Sequence, residues 1–337
     1  MSHEIAYRGF RIWEAEVGVV SNYRAVVDDR EYFFGEGQQL HSLLSNFRRI
    51  DPIPFSDAHH AYLHIFDNAL SSVQTCVDGN GVYVSGNIAE LESSSTDKRQ
   101  TIFGNMGLFT KLCVKALEMT GLYTFHSTSM YCPAEDTLYM ILGGSGSGKS
   151  AVLLAGLEKG FQLFGSELTH FSYGEGRLKF FKGSVYQNCR VGNLVSDFPG
   201  LIERFRIRGL PSDDIWHSYR SVDMRDAQTA LDVLDNPNVV AIFPRIEARV
   251  DSPEVSSVNS GSIVTDVLTS LCDKVSPPSW LYDSVLVPSI DDRQSQRQRL
   301  EAAQAFCNEA KNLECWRVMA SPRNCLDRVI RDCGFQR

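Results

Sequence analysis

Short runs rich in β-branched and aromatic residues open the chain. Residues 5–13 and 23–27 carry them, with Asp28-Asp29 placed to turn between segments, so residues 5–37 read as β-rich. Over 39–48 the period changes: Leu40, Leu43, Leu44 and Phe47 fall on one helical face. Asn80-Gly81, between apolar runs at 73–77 and 82–84, predicts a tight hairpin. The polar stretch 92–98 reads as a linker, and a domain boundary is expected there, dividing residues 1–95 from 100–337.

Beyond it, Met106, Phe109, Leu112, Cys113 and Leu117 recur in steps of three and four, predicting a helix over 102–119 that ends near Gly121. Strands are expected over 123–131 and Thr137–Leu142, a helix over 151–157, and a strand over 161–164. Tyr173-Gly174-Glu175-Gly176 reads as a hairpin turn between strands at 170–172 and Arg177–Phe181, and 238–243 is an apolar run of strand length. Residues 294–313 form a polar helical pattern with Leu300, Ala303 and Phe306 inward, and Asp291-Asp292 is placed to cap it.

Between the strand ending at Leu142 and the helix beginning near Ala151 stands Gly143-Gly144-Ser145-Gly146-Ser147-Gly148-Lys149-Ser150, the pattern GxxxxGK[ST]. Glycines let successive backbone N–H groups turn inward around phosphate oxygens, and the following helix adds its positive end. Lys149 then reaches the β- and γ-phosphates and the Ser150 hydroxyl ligates Mg²⁺. Chance produces the bare pattern in about 1% of chains this long. Its strand–loop–helix setting strengthens it, so a nucleoside triphosphate site lined by Gly143–Ser150 and Ala151 is expected.

The neighbours of this loop narrow the reading. His126 lies in the strand before the loop's own strand, and Lys159-Gly160 and then Ser166-Glu167 follow the loop's helix. This order resembles the HPr kinase/phosphorylase family, whose fold is shared with phosphoenolpyruvate carboxykinase. Pro199-Gly200-Leu201-Ile202 leading to Ile207-Arg208-Gly209-Leu210 is similar to the family's segment ending IRGL. The resemblance covers roughly residues 100–215. It implies an α/β fold with a mixed-sheet phosphate-loop kinase core, here behind an N-terminal β-rich α+β domain that would help select the acceptor. It also implies ATP and Mg²⁺ as cofactors, and Lys149, Glu167 and His126 as catalytic residues. Ser150 and Glu167 would hold the metal, and Glu167 or His126 would receive the acceptor's proton.

The family usually has two adjacent Asp residues where this chain has Ser166-Glu167. Its glutamate before IRG is represented only by the displaced Glu203, and Pro211 replaces a glycine. These departures point away from HPr as acceptor and toward a diverged kinase acting on a small-molecule or peptide hydroxyl. Loss of an acid also leaves open a nucleotide-binding regulatory module or a protein serine/threonine kinase. Arg206, Arg208 and Arg245 would suit an anionic group, but as alternating or strand-end arginines they equally suit a solvated face.

Composition sets the remaining bounds. The net charge of −8 argues against a general nucleic-acid partner, because such proteins neutralise phosphates with clustered Lys and Arg. No run of 18 apolar residues occurs, and the first residues lack the pattern of a signal peptide, so no membrane span and a cytoplasmic location are expected. Nine scattered cysteines match no zinc spacing and read as reduced thiols. His59, His60 and His64 suggest a metal, with 60 and 64 sharing a face if helical, but only Asp57 and Asp67 lie near and no third ligand is evident. Oligomeric state stays open; the resembled family's hexamers make a homo-oligomer one expectation.

Overall fold

The computed structural model describes residues 4–23, 47–69, 71–95, 100–247, 250 and 252–333. The expected helix over 39–48 lies almost wholly outside these residues, as does the strand over 23–27 beyond its first position. The chain forms two compact units. One runs to Thr124 and takes in Cys272–Arg297; the other is Phe125–Leu271 with the chain from Gln298 onward.

The first unit holds a six-stranded mixed sheet of β1 (Ala6–Ile12), β2 (Ala15–Ser21), β3 (Asp51–Ile53), β4 (Ala61–Asp67), β5 (Gln74–Asp78) and β6 (Gly81–Gly86), in the order β3-β1-β2-β4-β6-β5. Turn residues Gly79 and Asn80 close the β5–β6 hairpin, in which Asp78 pairs with Gly81, one residue earlier than Asn80-Gly81 would centre it. Helix α1 (Ile88–Ser94) is capped by Asn87 and takes in residues 92–94 of the expected linker, of which 96–98 lie outside the described residues. Helix α2 (Leu108–Met119) packs on β2 and β4 with nearly every residue buried. The helix that opens the second expected domain thus groups with the first unit, which runs to Thr124. The helix also starts six residues later than its periodicity predicts. Gly104 and Gly107 hold residues 102–107 in turns, and a Cβ at Gly107 would stand 2.0 Å from Thr101 O.

Two lysines on α2 are buried with their ammonium groups aimed at carbonyls. Lys111 Nζ donates to Pro277 O at 2.8 Å, and Lys115 Nζ to Ile290 O at 2.7 Å and to Asp292. His59 and His60 are also accounted for locally. His59 Nε2 accepts from Ser56 N–H and His60 Nδ1 accepts from Glu16 N–H, while His64 stacks on Tyr83 from strand β4 rather than from a helix.

The second unit is built on a larger mixed sheet. Its central strands are β7 (Tyr123–Cys132) and β8 (Thr137–Leu142), antiparallel to each other, with β9 (Gln162–Gly165) also on β7. On one flank lie β10 (Leu168–Gly174) and β11 (Arg177–Phe181), joined by the expected Glu175-Gly176 turn in the left-handed region, and then β14 (Val233–Asp235). On the other flank β15 (Asn238–Ile246) runs parallel to β8, then β19 (Glu314–Ala320) parallel to β15, with β16 (Glu254–Ser257) at the edge. Strand β8 is buried throughout, as a strand covered on both faces must be. Strands β12 (Tyr186–Arg190) and β13 (Tyr219–Asp223) form a separate ribbon, and β17 (Ser279–Leu281) and β18 (Val285–Val287) another, in the first unit.

Helix α3 (Lys149–Glu158) follows β8 and is buried from Ala151 to Leu157 among Met130, Tyr139, Leu163 and Phe198. The other α-helices among the described residues are α4 (Pro199–Arg204), α5 (Val264–Cys272), α6 (Arg293–Glu309) and α7 (Asp327–Asp332). Phe306 of α6 packs with Phe125, Phe171 and Phe180 in an aromatic cluster. Ala303 and Phe306 face inward on α6 as expected, but Leu300 is 40% exposed and Arg299 takes the buried position. Asp292 caps this helix through Ser295 N–H at 2.8 Å. No helix of the described residues is long and apolar enough to cross a membrane.

Candidate functional site

The loop 143–148 leaves the C-terminal end of β8 and enters α3 through residues that only glycine accommodates easily. Gly146 (φ 82°) and Gly148 (φ 101°) lie where a Cβ strains the backbone. At Gly148 there is also no room, since an added Cβ would come within 2.3 Å of Ile246 Cγ1, at the end of β15. Ile246 N–H donates to Ser147 O at 3.0 Å, so β15 pins the loop from the side. At Gly144 and Gly146, by contrast, an added Cβ would meet nothing within 4 Å, so the outer part of the loop is open.

Lys149 folds back on the loop, its Nζ donating to Gly143 O at 2.7 Å and to Gly144 O at 3.3 Å. Thr128 of β7 reaches Lys149 O at 3.4 Å and ties the helix start to the sheet. Ser150 Oγ accepts from Gln187 Nε2 at 3.0 Å, and the same amide nitrogen lies 3.4 Å from Glu167 Oε1. The other carboxylate oxygen, Oε2, is 3.6 Å from His126 Nε2. Residues from β7, the start of α3, the β9–β10 corner and β12 thus form one continuous polar chain: Ser150, Gln187, Glu167, His126. The backbone holds the corner in place, with Ser127 N–H donating to Glu167 O at 3.2 Å.

The charge of Glu167 is felt nearby. Burial pushes the Cys189 thiol well up, and the glutamate adds to the shift. Ser166, beside Glu167, points away from the chain. Its fully buried hydroxyl donates to Tyr186 O at 2.6 Å and shares a 2.5 Å hydrogen bond with Ser184 Oγ. It therefore cannot stand in for an acid at the site.

The structure brings His126, Ser150 and Glu167 together, with Lys149 at the adjoining loop. Arg206 and Arg208 are exposed, and no hydrogen bond among the described residues links them to the loop; Arg245 is exposed and pairs with Glu247 at 2.7 Å. Gln187 is the member sequence reasoning missed. A lone glutamine carries no motif, and its place follows from the pairing of β12 with β13, in which Gln187 stands opposite Val222.

Whether the residues present suit a triphosphate and a hard cation is testable on their unsatisfied atoms. Ser147 Oγ and Gln187 Oε1 are buried without a hydrogen-bond partner, and the Ser150–Glu167 pair offers oxygen donors. The set fits.

No protein-family model and no curated protein matches this chain. Among solved structures it is similar to the HPr(Ser) kinase/phosphatase from Coxiella burnetii, over 62% of this chain and 94% of that one. The identity is 11% and the TM-score 0.27, too slight to assign fold or activity.

Proposed function

We propose that the chain is an ATP-dependent phosphotransferase of the HPr kinase type, moving the γ-phosphate to a hydroxyl of a small molecule or peptide. The observation that carries this reading is the polar chain Ser150–Gln187–Glu167–His126 set beside Lys149 at a glycine-rich strand-to-helix loop. Phosphoryl transfer asks a protein mainly to position groups and neutralise charge, and this arrangement has parts for both.

Lys149 exchanges its bonds to Gly143 O and Gly144 O for phosphate oxygens. Ser150 and Glu167 hold Mg²⁺, which supplies charge neutralisation when bound. The acceptor hydroxyl gives its proton to Glu167 or His126, the two groups at the end of the chain that can take one. Selection of the acceptor falls to the N-terminal unit. One specific observation favours a second reading, a regulatory module that binds nucleotide without turnover: Ser166 stands where an acid is expected and its hydroxyl is committed elsewhere.

Incubation with γ-labelled ATP and a fractionated cell extract separates the two. Label transferred to metabolites or polypeptides, and abolished by Lys149→Ala, is the expected result. ATP binding without transfer to any fraction establishes the regulatory reading, and no binding overturns both.

A further inference from the structure

Gln187 occupies a singular position. Its side chain is 1% exposed, and its amide nitrogen stands within reach of both oxygens assigned to the cation, Ser150 Oγ at 3.0 Å and Glu167 Oε1 at 3.4 Å. The opposite end of the same amide, Oε1, is buried without a hydrogen-bond partner. So the group is satisfied on one side only. With three acceptors facing it, Asn188 O at 3.3 Å being the third, the amide must present its NH₂; with a cation between Ser150 Oγ and Glu167 Oε1, the preference at those two reverses. A half-turn of the amide plane exchanges N and O at nearly the same places, and an amide carbonyl is a hard oxygen ligand of the kind Mg²⁺ and Ca²⁺ take.

The sequence around the site makes the same case from another side. Ser166 spends its hydroxyl on Ser184 and Tyr186, so the corner bearing Glu167 offers a single acid. Gln187 follows Tyr186 in β12, a strand paired along its whole length with β13, so its side chain is set by a ribbon rather than a loop. We infer that Gln187 is a third protein ligand of the divalent cation held by Ser150 and Glu167, turning its carbonyl to the metal and replacing the missing second acid. This rests on the nucleotide-binding reading above.

The test measures how far Mg²⁺ tightens ATP binding, as the ratio of Kd values by calorimetry in EDTA and in Mg²⁺, using the full-length protein. Gln187→Ala and the bulkier Gln187→Leu should cut that ratio at least tenfold while leaving Kd in EDTA within about twofold. Gln187→Glu, which keeps the shape and adds a charge, should hold or raise it. Should the truncated variants fail to fold, judged by thermal melting, Gln187→Glu decides: a ratio below wild type overturns the assignment. If wild type binds ATP with a clear Mg²⁺ effect that Gln187→Ala or Gln187→Leu shares in full, the amide is a spacer and only this inference falls. If wild type binds no ATP in either condition, the functional reading fails and the inference with it.

Discussion

Substituting Gly148 by alanine perturbs the loop in two separable ways. The backbone there has φ 101° and ψ 18°, a region where an L-residue costs about 1–2 kcal/mol. The new methyl would also lie 2.3 Å from Ile246 Cγ1 and 2.5 Å from its Cβ, an overlap that costs about 1–3 kcal/mol to relieve. Together Gly148→Ala should destabilise this region by about 2–5 kcal/mol. Gly146→Ala is the control: its φ of 82° brings the backbone cost alone, about 1–2 kcal/mol, since nothing lies within 4 Å of the added carbon. Ile246→Gly should remove the overlap, so Gly148→Ala and Ile246→Gly should couple favourably by about 1 kcal/mol or more in a double-mutant cycle. Native-state hydrogen exchange of the β8 and α3 amides reads the free energy of opening this part of the chain, apart from the other unit. If Gly148→Ala costs no more than Gly146→Ala, or the cycle shows no coupling, the claim that Ile246 holds the loop is wrong.

Two further outcomes follow from buried polar groups. Lys111 is held down to about 8 by burial, with Lys274 adding to the shift and Asp273 opposing it. Below pH 8 both folded and unfolded chains carry the charge, so the cost is complete; from 8 to 10.5 the unfolded chain keeps a proton the folded one has lost, and stability rises. The gap from 10.5 amounts to about 3 kcal/mol, so the first unit should gain stability over that pH range, and Lys111→Met should abolish the gain in pH-dependent hydrogen exchange of β2 and β4. Ser166→Asp, which recreates an acidic pair on paper, should destabilise the second unit by about 3 kcal/mol or more because the position is fully buried; a denaturant midpoint equal to wild type would refute this.

The central architecture was legible where chemistry is local. Strands β8 and β15 are mainly apolar runs, and the Glu175-Gly176 turn and the Asp292 cap carry their own residue types. What escaped depends on partners distant in sequence. The start of α2 was hidden because residues 102–107 continue its apolar period while Gly104 and Gly107 bend them. The inward face of α6 differs at one position, where Arg299 rather than Leu300 is buried, since an arginine reads as solvent-facing. His126 and Glu167 were found only through a family's order of residues, and Gln187 had no such guide.

The two lysines of α2 also bear on how the chain is made. Their acceptors, Pro277 and Ile290, lie 166 and 175 residues further on. During synthesis α2 therefore emerges with two ammonium groups whose shortest carbonyl contacts are still untranslated, only the 3.5 Å contact of Lys115 with Gly79 O lying upstream, while everything from Phe125 to Leu271 passes out of the ribosome between them. The first unit is first to be synthesised and cannot be first to finish. An early stop in the intervening stretch would leave Lys111 without Pro277 O and Lys115 with only the long contact to Gly79 O, a form suited to capture by chaperones or proteases.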